Sequence, residues 1–213
     1  MTEAEWLACN DPDPMLEFLR DKSSDRKLRL FACACCRALS AVSDSDVCEA
    51  VQVAEQYADG LITPEERQAA ASAIEPKVAY FVDLAGFVAA AASATLWPDA
   101  HEGAKHATRI IIDIEDTGCQ EMNGSREYCS DVLRCVFGPL CFRQVLFKGA
   151  WRTPHVEALA ECIYEQQAFD RLFLLADALE EAGCDNAAIL KHCRRPRPHV
   201  RGCWVVDLLL GKE

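Results

Sequence analysis

The chain's thirteen cysteines and five histidines are the side chains with the most chemistry to offer. Their sharpest pattern lies near the C-terminus, where Cys184, Cys193, His199 and Cys203 are separated by eight, five and three residues. Three thiolates and an imidazole suit a closed tetrahedral zinc site. The spacing is that of C-x8-C-x5-C-x3-H fingers that bind ribonucleic acid, with the last two ligand types exchanged. The competing reading is packing, because Cys184 follows a helix stop and Cys193 closes the next predicted helix, where small thiols fill core space. Packing is preferred, so no cofactor is expected; structural zinc at these four residues is the alternative.

Other clusters carry less. Cys33 and Cys36 lie one helical turn apart, Cys35 points elsewhere on the wheel, and nothing completes a ligand set, so these read as core thiols with a redox role as the alternative. His101 and His106 are five residues apart, about 140° around a helix, and do not chelate together as the four-residue spacing of zinc proteases does. Glu157, Glu161 and Glu165 form an acidic stripe, but no Glu-x-x-His accompanies them, as a di-metal bundle requires. Asp113, Glu115 and Asp116 read as solvated acids at a helix end. No phosphate-binding glycine loop, dinucleotide fingerprint or nucleophile elbow is present. The expectation is a protein without enzymatic activity.

Charge narrows the partners. With 22 basic and 34 acidic residues the formal charge is −12, which argues against nonspecific nucleic-acid binding and for a basic protein partner. The exception is a cationic C-terminal stretch, Lys191, Arg194, Arg195, Arg197 and Arg201, which supports a nucleic-acid-binding module as the alternative. The rival role for these side chains is to pair with the acidic body and pin the tail. Phe142, Phe147 and Trp151 fall in a predicted loop and read as partner-binding anchors. The acidic N-terminus is unlike a secretory signal, so the thiols are expected in a reducing cytoplasm, free or metal-bound. The longest uncharged run, Leu84–Pro98, is too short to span a membrane and reads as a buried helix.

The elements that must position these residues are helical throughout. Thr2 caps a short helix that the Asp11-Pro12-Asp13-Pro14 turn ends. Ser24 or Asp25 opens a helix to Leu39, and Val47–Asp59 forms another with Gly60 as its stop. Thr63-Pro64-Glu65-Glu66 is a helix start. Helices follow at about 77–96, 100–115 and 125–137, with the β-branched run Arg109–Ile114 kept helical because a lone strand has nothing to pair with. After a loop at 138–154 come helices at 154–165 and 169–182, a short helix from an Asp185 cap to Cys193, and a final apolar helix, Cys203–Leu210, docked on the core. The expected fold is a compact all-α orthogonal bundle of about eight to ten helices. One domain over 1–213 is favoured, with 138–154 as the candidate sub-boundary.

The stretches Met1–Cys9 (MTEAEWLAC) with Asp11-Pro12, Ser24–Arg37 (SDRKLRLFACACCR), Ala54–Leu61 (AEQYADGL), Ala168–Cys184, His192-Cys193 and His199–Glu213 (HVRGCWVVDLLLGKE) carry a family resemblance. The chain resembles a planctomycete-type paralogous family of small helical cytosolic proteins, at both ends but not in the centre, about 63–124. The resemblance implies a cytosolic bacterial origin and many relatives in one genome; it carries over no activity or ligand. Together with the charge, it leads to the functional expectation: a non-enzymatic interaction module, an acidic adaptor, immunity or regulatory subunit of a bacterial conflict or signalling system. Nucleic-acid binding is the first alternative and a thiol redox sensor the second.

Overall fold

The computed structural model describes residues 1–39, 44–78, 83–116, 124–196 and 198–212. Among them are twelve α-helices, two single-turn 3-10 helices and no strand, so the fold is all-α with slightly more helices than expected.

The extra helices trace to local chemistry. In α1 (Glu3–Ala8) the Thr2 hydroxyl accepts from the Glu5 N–H while the Glu5 carboxylate accepts from the Thr2 N–H, a reciprocal cap. The Asp11–Pro14 segment is a helix start, contrary to the expected stop. Asp11 accepts from the Asp13 N–H, and prolines in a first turn remove only N–H groups that have no intrahelical partner, so α2 runs Pro12–Leu19. Next come α3 (Asp25–Arg37), capped by Ser24, α4 (Ser45–Ala58), and α5 (Pro64–Val78), whose start is held by reciprocal bonds between Thr63 and Glu66. The expected 77–96 helix is shorter than read. Lys77 belongs to α5, Asp83 accepts from the Gly86 N–H to open α6 (Leu84–Thr95), and residues 79–82 lie outside the described part.

Helix α7 (Ala100–Asp116) keeps the β-branched run helical, with Ile110, Ile111 and Ile114 buried in the core. Then α8 (Ser125–Phe137) and α9 (Pro154–Glu165) stand where periodicity placed them. The next helix begins as a 3-10 turn, Phe169–Arg171, and continues as α10 (Leu172–Glu181). Asn186, not Asp185, caps α11 (Ala187–Cys193), because its side chain accepts from the Ala188 and Ile189 N–H groups while Asp185 pairs with Lys148.

Buried apolar side chains form two clusters. One is built by α1–α8 around Trp6, Phe31, Ile111 and Leu133; the other holds Cys135 and side chains from Val145 to Leu209 around Trp151, Tyr164, Leu175 and Trp204. The division runs through the 138–154 loop. Helix α8 touches both, since Val136 packs in the first and Cys135 in the second, and Val200 also packs on both. The final helix α12 (Trp204–Leu210) docks as expected: Trp204, Val205, Val206 and Leu209 are buried, each aliphatic contributing about 1.5–3 kcal/mol. Among the described residues no helix is long and apolar enough to cross a membrane.

Candidate metal centre

The C-terminal end of α8 and the start of α12 approach closely because Gly138 lets them. Gly138 ends α8 with φ +52° and ψ −140°, a conformation nearly reserved for glycine, and the Trp204 indole lies against its Cα. A Cβ at this position would stand 2.5 Å from the ring. This contact brings Cys135, on the last turn of α8, to Cys203, the residue just before α12. On the other side, α11 delivers His192 on its last turn. The chain then returns through His199 to a turn at Gly202, whose φ of +88° again requires glycine.

Cys135, His192, His199 and Cys203 thereby present two sulfurs and two imidazole nitrogens within 4.8 Å of one another; His199 is half-buried and the other three are buried. His192 Nε2 lies 3.2 Å from Cys203 Sγ, and His199 Nδ1 lies 3.7 Å from Cys135 Sγ. Tetrahedral zinc, with bonds of about 2.3 Å to sulfur and about 2.0–2.1 Å to nitrogen, has ligand–ligand edges of roughly 3.3–3.8 Å. The 3.7 Å separation lies within this range and the 3.2 Å one falls just short of it. His199 Nε2 is 3.2 Å from the Arg195 carbonyl. Donating a proton there fixes the tautomer that leaves Nδ1 free as a ligand, the outer bond usual for a metal-binding histidine. The residues therefore fit a zinc ion as a Cys2His2 set.

The two thiols differ. Burial pushes Cys203 up, but hydrogen bonding from Cys135 and the charge and hydrogen bond of His192 outweigh it and hold Cys203 well below the ordinary thiol value. Burial and its bond to Cys203 push Cys135 up. Four protein donors would fill the coordination of a tetrahedral ion and leave it no open position for substrate.

Of the four ligands read from spacing, the structure brings His199 and Cys203 into this cluster; Cys184 and Cys193 are replaced by Cys135 and His192. Cys193 follows His192 by one position, about 100° around the helix, so when His192 turns to Cys203 the sulfur of its neighbour is not among the four donors that converge. Cys184 is buried in that same cluster. Burial pushes both thiols up, as for apolar filler. Cys135 was invisible to spacing because it lies 68 residues before Cys203. The signal for His192 was its position three residues after Ile189, on the buried side of α11.

The aromatic loop residues are not free anchors. Trp151 is 4% exposed and buried in the second cluster, which corrects its reading as a partner-binding side chain. Half-buried Phe147 packs edge-on against it at 5.4 Å. Phe142, also half-buried, stacks on Phe18 at 5.0 Å and meets Trp6 at 5.9 Å. The exposed large apolar side chains of this loop are Leu140 and, at 77%, Leu146.

The basic stretch is divided. Arg194 pairs with Asp177 and Glu180, and Arg201 with Asp59, so these two pin the tail to the body. Lys191 and Arg195 border a cleft beside Trp6 and Trp204, and Arg197 lies outside the described residues. His101 Nε2 is 2.9 Å from the Leu16 carbonyl and His106 stacks on Trp97, so this pair does not converge. Glu115 accepts from the Gly124 and Ser125 N–H groups at the start of α8, Asp113 is exposed, and the Asp116 side chain lies outside the described residues. Cys33, Cys35 and Cys36 are fully buried; burial pushes Cys36 up to about 12 and the other two well above the ordinary value. Comparison with protein-family models, curated proteins and solved structures finds no match for this chain.

Proposed function

We propose that this chain is a non-enzymatic interaction module, stabilised by a structural zinc ion at Cys135, His192, His199 and Cys203, whose acidic body binds a basic protein partner. One observation carries the reading: a predominantly buried set of two sulfurs and two imidazoles with an outer hydrogen bond from His199 to the Arg195 carbonyl. Four protein ligands leave the metal no position for catalysis, so its contribution is to clamp α8 to the α11–α12 segment. The net charge of −12 supports the basic partner.

Native mass spectrometry of protein purified without added metal tests this directly. The expected result is a mass excess of one zinc per chain, a melting midpoint lowered by a strong chelator, and co-purification of a basic protein from the native host. A metal-free chain whose melting ignores the chelator removes the zinc centre. A chain that recovers no protein above background removes the partner reading.

A further inference from the structure

A cleft of about 220 Å³ lies beside the metal centre, between α1, the turn after Gly138, and α11. Trp6, Trp204 and Pro139 give it apolar walls, while Arg143, Lys191 and Arg195 give it cationic character. This is a local reversal of sign in a chain of charge −12. Glu3, the acid lining it, is engaged by Arg143 at 3.3 Å, and Arg134 is engaged by Asp131 at 2.7 Å. Lys191 and Arg195 have no ion-pair partner among the described residues.

The neutral groups point the same way. The indole N–H groups of Trp6 and Trp204 are buried without an acceptor, although both residues line the cleft. His192 also lines it. Its Nε2 faces Cys203, but Nδ1 has no acceptor among the described residues, whereas the outer nitrogen of His199 has the Arg195 carbonyl. Metal-binding histidines usually donate that second N–H to a carboxylate, carbonyl or water. The unspent polar groups around the cleft are thus the Lys191 and Arg195 cations and the outer nitrogen of His192, set among aromatic faces.

We infer that this cleft binds a free carboxylate attached to a small apolar side chain, as at the C-terminal end of a peptide. Lys191 and Arg195 neutralise the charge, the Arg195 guanidinium offers the planar fork that matches a carboxylate, and the indole walls cover the side chain. The volume lies below the roughly 300–1,000 Å³ of sites for drug-sized ligands, which limits the occupant to about one terminal residue. A phosphate would leave the apolar walls uncovered. The inference rests on the zinc reading only through His192, whose outer nitrogen the carboxylate would engage.

Isothermal titration with acetyl-Gly-Ala-Leu, its C-terminal amide, N-acetyl-leucine and inorganic phosphate tests the site, with zinc per chain measured on every sample. The free acids are expected to bind one per chain, the amide at least ten-fold more weakly, and Lys191→Glu/Arg195→Glu to weaken the acids at least ten-fold while keeping the melting midpoint. Tighter binding of the tripeptide than of N-acetyl-leucine assigns the ligand to a chain end; equal binding assigns it to a free small acid. Acid and amide binding alike, no binding by zinc-loaded protein, or phosphate binding in place of the acids overturns the proposal. Acid binding by a chain that takes up no zinc sustains the cleft and removes the metal reading, so the two failures are distinguishable.

Discussion

Cys203 is a buried thiol that gives up its proton more readily than a free one, because Cys135, His192 and His199 surround its sulfur with a donor, a charge and two imidazoles. Bound zinc would act where those groups now act and would also displace the proton of Cys135. Cys135→Ser and Cys203→Ser are therefore expected to abolish stoichiometric zinc uptake, whereas Cys184→Ser and Cys193→Ser keep it; cobalt substitution, read by its thiolate charge-transfer absorption, makes the comparison. Retention of the cobalt spectrum by Cys135→Ser would falsify the quartet. Half of the set was legible in spacing, since His199 and Cys203 belong to one short return of chain. The other half was not, because all four thiols are buried in one cluster and only the packing of the helices decides which sulfurs converge with the imidazoles.

At the level of elements, the candidate metal centre depends on how near the end of α8 comes to the start of α12. Trp204 lies against a bare Cα at Gly138, and the backbone there adopts a positive φ. Gly138→Ala places a methyl inside the indole and strains the backbone, for an expected loss of about 2–4 kcal/mol. Urea denaturation of the metal-free variant measures it, and zinc affinity should fall in parallel because Cys135 and Cys203 separate. A variant as stable as the parent would show that the two helices do not need this approach. The helices themselves were readable: Thr2, Ser24 and Thr63 cap where they stand, and each cap is a contact within a few residues. Asp11–Pro14 was misread because Asp-Pro serves turns and helix starts equally, and only the apolar side chains downstream, Met15, Leu16 and Leu19, decide between them by finding a core.

For the whole molecule, the two hydrophobic clusters are joined by a buried polar network as well as by the candidate metal. Arg26 of α3 donates to Asp207 of α12 at 2.8 Å, to Asp59 at 3.0 Å and to the Tyr164 hydroxyl at 2.9 Å. Tyr164 donates to Asp59 at 2.6 Å, and Arg201 donates to Asp59 at 2.7 Å. The Asp59 side chain is only 2% exposed. Burial pushes its carboxyl up, but the bonds from Tyr164 and Arg201 and the charges of Arg26 and Arg201 outweigh that and hold it below the ordinary value. A lowered folded value means the contribution is complete above about pH 4, the unfolded value, and is lost as pH falls through the folded one. Asp59→Asn should cost about 3–5 kcal/mol at neutral pH by leaving buried arginines short of a partner. It should also flatten the acid limb of stability relative to the parent. Chemical denaturation of both metal-free proteins across the acid range checks this, and parallel limbs would contradict it.

What the sequence by itself determined is the all-α architecture, most helix positions and the burial of the CWVVDLLL segment. These follow from caps and 3.6-residue periodicity, which act locally. Tertiary structure alone decided the ligand set, the burial of Trp151 and the cationic cleft. Each joins side chains remote in sequence, Cys135 to Cys203, Trp151 to the second cluster, and Trp6 to Trp204. Their meeting depends on which helix faces pack and how closely a glycine lets them approach, and spacing along the chain carries no record of either.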